Sequence, residues 1–252
     1  DEDFCFEEFA DRVAELVEKH VNINRLLELT KPVATAVVPI SAGRHIYKRE
    51  PSFPIAVACD PAFNFVYEAN IRYLHHLGEV TYFSPLADTS LPDAGFVYLP
   101  GGYPELYLAA LSANRQMLQS IRRYVESGGK LLAECGGMMY LCDEIRDKNG
   151  DVYPMAGVLH QSATMENMKL RLGYRTLLYN ETRLKGHEFH YSRLVEQQNP
   201  LPSCAVAYTA KGVETDTPLY HYKNVWAGYT HLYWADPVGN EWFTKFVIDG
   251  NT

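Results

Sequence analysis

The sequence has no long apolar run. No stretch approaches the roughly 20 residues that span a bilayer, and no leader pattern with an apolar core opens it, so no membrane partner is expected. Positive charge is scarce. Lys and Arg number 23 against 31 Asp and Glu, a net charge of −8, and no Lys/Arg cluster overrides it. A nucleic-acid partner is therefore not expected. The five cysteines, Cys5, Cys59, Cys135, Cys142 and Cys204, are odd in number and form no C-x-x-C pair. Neither a disulfide framework nor a metal site follows, and a reducing, cytoplasmic setting fits. There is no G-x-x-x-x-G-K-[ST] phosphate loop, no internal repeat and no low-complexity tract. The first residue is Asp1 rather than Met, as in a processed chain or an excised piece.

What is present is globular in character. Hydrophobic residues make up 47% and charged residues 21% of 252 positions, enough for one large domain or one domain with an appendage. Phe9, Val13, Leu16 and Val17 recur at helical spacing, which predicts an amphipathic helix over Phe6 to His20. Asn24 is a candidate cap for a second short helix through Leu26 to Leu29. From Lys31 to Pro54 the periodicity dissolves among Pro32, Pro39, Gly43, Pro51 and Pro54, which reads as a linker. Two helices without strands bury little core, so residues 1–53 are expected to end a domain lying mostly outside this chain.

The second region, 54–252, opens with alternating short apolar runs and helical stretches. Strands are predicted at Ile55–Ala58, Val80–Phe83, Gly95–Leu99 and Leu131–Glu134, with helices between. That rhythm indicates parallel β-α-β units, an open sheet whose ligands sit at the carboxyl ends of the strands. Asp60, the Gly101-Gly102 loop and Cys135 all fall there. Beyond Asp151 the pattern turns β-rich, near Met155–Leu159, Tyr174–Tyr179, Phe189–Ser192, Ala205–Tyr208 and Val225–His231. Lys223-Asn224 reads as a hairpin turn, and Pro237 to Ile248 as a closing helix.

Cys135 carries the most chemistry. Lys130-Leu131-Leu132-Ala133-Glu134-Cys135-Gly136-Gly137-Met138 reads as strand, tight turn and helix, the pattern of a nucleophile elbow with small residues where bulk would clash. A helix N-terminus beneath the sulfur is expected to lower the thiol pKa. The competing reading is a buried structural cysteine before a glycine turn. A thiolate nucleophile needs an oxyanion site and a base. Gly136 offers one N–H, and Gly101 or Gly102 a second. Of nine histidines, His187, His190 and His231 remain as candidate bases, since the others fall in the tail, linker, a helix, a loop or before a hairpin turn.

Four ordered motifs then converge on one family. They are Gly101-Gly102-Tyr103-Pro104-Glu105-Leu106, Ala133-Glu134-Cys135-Gly136-Gly137-Met138-Met139-Tyr140-Leu141, Gly186-His187-Glu188-Phe189-His190-Tyr191-Ser192 and Thr230-His231-Leu232. From Ile55 onward the chain resembles the class I glutamine amidotransferase domain, and within it the C-terminal glutaminase domain of the cobyrinic acid a,c-diamide synthase family. The sister family, cobyric acid synthase, is similar but usually lacks the Gly-Gly-Tyr-Pro-Glu-Leu form. The resemblance implies a flavodoxin-like α/β fold and a glutamine-hydrolysing carbon–nitrogen ligase. Cys135 would be the nucleophile and His231 the base, with Gly102 and Gly136 as oxyanion donors. Gly101, Tyr103, Gly137, His187, Glu188, Phe189 and His190 would hold glutamine. The tail would be the last helices of an upstream synthetase domain, which uses ATP and Mg²⁺ to activate two carboxylates of a corrin-type macrocycle. No cofactor is expected in this chain.

One departure stands out. Most members of the class carry His-x-Glu, whose acid orients the histidine, whereas this sequence has His231-Leu232-Tyr233. Glu188 and Asp236 are the candidates for that role. The departure also leaves open a non-catalytic domain that docks a partner, and the fold a different cysteine hydrolase such as a peptidase. The acceptor is open among cobalt-containing and metal-free corrins and a nickel sirohydrochlorin.

Overall fold

Apolar runs too short for helices and buried on both faces become the strands of a central sheet. The computed structural model describes residues 6–30 and 53–249, and the chain divides into two units, 1–49 and 50–252. In the first unit, α1 (Phe6–His20) carries Glu7 and Glu8 in its first turn and Lys19 and His20 in its last, matching the helix dipole. Its apolar stripe is in place, with Val13, Leu16 and Val17 exposed. In α2 (Ile23–Leu29) the cap is Asn22, whose side chain accepts from Arg25 N at 2.9 Å. Asn24, expected as the cap, lies one residue inside the helix. The presumed linker lies outside the described residues as far as position 52, and Phe53 and Pro54 already belong to the first strand.

The second unit begins with β1 (Phe53–Ala58), α3 (Glu68–Leu77), β2 (Gly78–Phe83), β3 (Phe96–Leu99), α4 (Leu108–Ala113), α5 (Arg115–Glu126), β4 (Lys130–Glu134) and α6 (Gly136–Leu141). Small strands follow: β5 (Glu144–Arg146), β6 (Val152–Pro154) and β7 (Ser162–Thr164). A long hairpin comes next, β8 (Arg171–Tyr179) and β9 (Thr182–His190), then β10 (Arg193–Leu194), β11 (Val206–Thr209) and β12 (Glu214–Thr215). The chain closes with β13 (Leu219–Tyr222), β14 (Val225–Gly228), β15 (His231–Leu232) and α7 (Pro237–Thr244). Among the described residues no helix is long and apolar enough to cross a membrane.

The main sheet has the order β13-β14-β4-β3-β1-β2, parallel throughout except for the β13–β14 hairpin. The open, mostly parallel α/β sheet read from the sequence is therefore present. Side chains alternate between its faces. Ala56, Val97, Leu131 and Ala133 meet α5 and α6 through Met117, Ile121, Val125 and Met138. Ile55, Val57, Phe96 and Leu132 meet α3 and α7 through Ile71, Leu74, Trp242 and Phe243. The turn at Lys223-Asn224 forms as expected, with Lys223 at φ 52°. The β14 strand runs parallel to β4, pairing Gly228 with Glu134, and so carries the C-terminal segment to the nucleophile strand.

Two smaller sheets have the orders β10-β7-β5-β6 and β12-β11-β8-β9-β15. The strand expected at Met155–Leu159 does not form. Those residues are buried, and their N–H groups bond instead to the chain at the end of α6: Ala156 to Tyr140 O, Gly157 to Cys142 O and Val158 to Leu141 O. Apolarity there reports burial, not strand pairing. Asp236 caps the closing helix, accepting from Gly239 N at 2.7 Å, and α7 continues as a π-turn from Lys245 to Asp249.

Candidate active site

The β4 strand ends at Glu134, and the chain turns at Cys135 with φ 48° and ψ −107°. Positive φ is uncommon for a residue with a Cβ and stores strain, as an elbow requires. Small neighbours make the turn possible. A Cβ at Gly137 would sit 2.2 Å from Leu99 O, and one at Gly136 would sit 2.7 Å from Pro104 Cδ and 3.2 Å from Gly102 N. The Gly136 and Gly102 backbones therefore lie side by side, as a paired oxyanion site needs. Gly102 is itself pressed against the chain after β1, since a Cβ there would sit 2.1 Å from Ala62 O. The Cys135 N–H donates to Gly228 O at 2.7 Å, and its Sγ lies 3.8 Å from Phe189 O.

The expected thiolate is not what the resting site favours. Burial, reinforced by the Glu105 carboxylate, pushes the Cys135 thiol up to about 12, and the Gly136 N–H offsets only part of this. The helix behind the sulfur has six residues, and desolvation is the largest influence on the thiol. Glu105 is raised by its own burial.

His231 sits on β15 opposite His187 of β9 and is almost wholly buried. Its ring has room because position 101 is glycine: a Cβ there would lie 2.2 Å from Cε1. The Phe65 ring covers it at 4.4 Å between centroids. Burial, with His187 and His190 adding, outweighs the opposing pull of Glu188 and lowers its pKa to about 3, so the resting imidazole is neutral. Its Nδ1 is buried without a hydrogen-bond partner.

Neither acid expected to orient that ring does so. Glu188 accepts from Thr217 Oγ1 at 2.9 Å, meets His190 Nε2 at 2.8 Å and lies 2.5 Å from Arg175 Nε. Burial opposes its charge, but these partners hold Glu188 below the ordinary carboxylate range. Asp236 caps α7 and pairs with Lys185 Nζ at 2.8 Å. Tyr233 is partly exposed and meets the Tyr67 ring at 5.9 Å. The carboxylate beside His231 is Glu134, with Oε2 4.0 Å from Nδ1. Its Oε2 accepts from Tyr98 OH at 2.7 Å and its Oε1 from Leu232 N at 3.0 Å. Burial pushes Glu134 up to about 8, against the pull of those donors. On the same segment, buried Asn70 donates to Leu232 O at 2.7 Å and accepts from Trp234 N at 3.0 Å. Sequence reasoning assigned no role to Glu134 or Asn70. An acid immediately before the elbow was the only signal for the first, and nothing local marks the second.

The crevice at Cys135 is lined by Gly102, Tyr103, Glu105, Phe189, His190 and Tyr191 among others, so three of the expected glutamine contacts face it or flank it. Its open space is about 20 Å³, room for about one water molecule. Gly101 and Gly137 instead serve the packing of His231 and of the elbow. His187 meets the Tyr174 ring at 5.6 Å, and Glu188 lies behind His190 in its ion pair with Arg175. His190 is not free to act as a base. Its Nδ1 meets Ser192 O at 2.7 Å, its Nε2 meets Glu188, and the ring stacks on Tyr229 at 3.7 Å. Among the described residues no group of three or more His, Cys, Asp and Glu side chains could hold a metal ion.

Elbow, glycine pair and buried histidine at the ends of parallel strands are the arrangement of a glutamine amidotransferase fold. A solved glutamine amidotransferase superposes with a TM-score of 0.50 at 16% identity, covering 77% of this chain and 98% of that one. Residues 54–238 match the CobB/CobQ-like glutamine amidotransferase domain, and the chain belongs to that family. Cobyrinate a,c-diamide synthase of Picrophilus torridus is 37% identical over 236 residues, covering 88% of this chain and 49% of the relative. Hydrogenobyrinate a,c-diamide synthase of Pseudomonas aeruginosa is 40% identical over 185 residues, covering 71% and 41%. The chain spans about half the length of the curated relatives it matches.

Proposed function

We propose that this chain is the glutaminase part of a cytoplasmic, ATP-dependent a,c-diamide synthase acting on a corrin-type macrocycle. The observation that carries the reading is the strained Cys135 elbow with the Gly136 and Gly102 backbones beside it. The Cys135 thiol gives its proton to His231 as the sulfur bonds to the side-chain carbonyl carbon of glutamine. Negative charge collects on that carbonyl oxygen, where the N–H groups of Gly136 and Gly102 receive it. The imidazolium returns the proton to the leaving nitrogen, the C–N bond breaks, and ammonia leaves a γ-glutamyl thioester. Water, deprotonated by His231, cleaves the thioester to glutamate and restores the thiol.

The resting geometry bears on how this starts. Burial holds the Cys135 thiol protonated, near 12, and the His231 imidazole neutral, near 3, and the crevice at the sulfur has about 20 Å³ of open space. On this reading glutamine reaches the sulfur past Tyr103 and Tyr191, which line the crevice and are exposed. The exposed Val13, Leu16 and Val17 of α1 belong, on this reading, against the upstream synthetase half, which would also hold ATP, Mg²⁺ and the macrocycle. The relatives' names support cobyrinate or hydrogenobyrinate as acceptor.

The test is release of ammonia and glutamate from glutamine, together with irreversible labelling of Cys135 by a glutamine-like diazo-ketone. Loss of both in Cys135→Ser is the expected outcome. Glutamine turnover that survives that substitution, or cleavage of peptides in its place, overturns the reading.

A further inference from the structure

The sequence lacks the acid two residues after His231, yet an imidazole that must accept a buried proton needs a counter-charge. An unpaired imidazolium with no water around it is strongly disfavoured. Among the described residues the acid within 4.0 Å of the ring is Glu134, reached from the end of β4. We propose that Glu134 is the positioning residue for His231, taking the place of the missing His-x-Glu acid from the strand that also presents the nucleophile. The inference rests on the reading of Cys135 as nucleophile and His231 as base.

Three observations carry it. The first is that the Nδ1 atom of His231 is buried and lacks a partner, while both oxygens of Glu134 are already fixed by Tyr98 OH and Leu232 N. The carboxylate is thus held still, with Oε2 directed toward a ring nitrogen that needs an acceptor. At 4.0 Å the contact is longer than a hydrogen bond, as catalytic contacts in an unliganded site often are. A ring movement of about 1 Å closes it to hydrogen-bond length.

The second is that Glu134 and His231 are tied to the same backbone. Glu134 holds Leu232 N, and Asn70 holds Leu232 O and Trp234 N, so the residues following the imidazole are clamped from β4 and from α3. The third is that the other charged groups around the ring are bonded elsewhere, Glu188 acting on it through its charge alone. Glu188 and His190 satisfy each other on β9, His187 is packed on Tyr174, and Tyr67 and Tyr98 are neutral phenols whose ionisation burial disfavours. With its Nδ1–H turned to Glu134, His231 keeps Nε2 unprotonated, the form that accepts the cysteine proton. As the imidazolium forms, each charge makes the other less costly.

The test compares Glu134→Gln with Glu134→Asp in the full-length synthetase. Glutamine keeps the size and the ability to hold Leu232 N, but cannot ionise as the imidazolium forms. Aspartate keeps the charge and shortens the reach to Tyr98 and Leu232. A purely structural role makes the glutamine variant the more active. The positioning role makes it the less active, with kcat for glutamine hydrolysis lower by about 100-fold and KM changed by less than about threefold. Thermal melting of both variants reports stability separately, and the aspartate variant is expected to melt lower yet turn over faster. A second readout needs no variant at Glu134. Above pH 8.5, imidazole nitrogen NMR of the wild-type protein, assigned against His231→Ala, should place the ring proton on Nδ1. A near wild-type kcat in Glu134→Gln, lower activity in Glu134→Asp than in Glu134→Gln, or a proton on Nε2 overturns the inference. The reading beneath it fails differently, by glutamine hydrolysis that persists in Cys135→Ala.

Discussion

Gly101→Ala adds one carbon where the site has no room for it. The new Cβ would lie 2.2 Å from His231 Cε1 and 2.9 Å from Nδ1, against 3.4 Å or more for an ordinary contact. Gly101 is not among the glycines with positive φ, so alanine meets no backbone penalty and the effect is purely steric. The ring must retreat by about 1.2 Å or the loop must lift by as much. Phe65 lies over the ring at 4.4 Å and the Gly186 backbone abuts His231 O, so retreat is obstructed. Overpacking of this kind costs about 1–3 kcal/mol of stability, which a domain of this size tolerates. A displacement of about 1 Å in a catalytic group costs about 100-fold in rate. The assay is glutamine-supported amidation beside ammonia-supported amidation in the full-length synthetase. The first should fall by about 100-fold and the second should hold. A Gly101→Ala enzyme within about threefold of wild type on glutamine would refute the argument that this glycine exists to seat the imidazole.

Two predictions concern ionisation. Burial holds the Cys135 thiol near 12, so its alkylation, followed by peptide-resolved mass spectrometry, should accelerate about tenfold per pH unit through pH 10; a plateau below pH 8 would mean a thiolate already formed. His231 is depressed to about 3, so between pH 6.5 and 3 the unfolded chain binds a proton that the folded chain refuses, and stability falls as pH falls. Urea unfolding at pH 6.5 and pH 5 should show His231→Gln losing about 1.5 kcal/mol less than wild type across that step. Equal losses would show that the imidazole is not buried neutral.

The parallel sheet was legible because its strands are short, apolar and set between helices, a pattern local enough to read. Cys135 was legible for the same reason, since strand, elbow and glycines are contiguous. The failures are non-local. The β14 strand looks like half of a hairpin, which it is, but nothing nearby says that its other edge joins β4. Met155–Leu159 is apolar because it is buried at the end of α6, and composition alone does not separate that from a strand. Glu188 and Asp236 were plausible orienting acids by sequence proximity, yet each is committed to a cation or a helix end. The acid beside His231 comes from Glu134, bonded to Leu232 across 98 residues of sequence. The thiol was misjudged because a helix end is visible in sequence, whereas depth of burial is not.

In the proposed function Cys135 serves only to free ammonia for an amidation carried out elsewhere in a larger synthetase. Cys135→Ala in the full-length synthetase tests it most directly, with glutamine and with ammonium salts as alternative nitrogen sources. Removing the covalent nucleophile should reduce glutamine-supported amidation by several powers of ten while ammonia-supported amidation continues at the wild-type rate. If the ammonia-supported rate falls as far as the glutamine-supported one in a correctly folded enzyme, Cys135 does something other than supply ammonia, and the account given for this site is wrong.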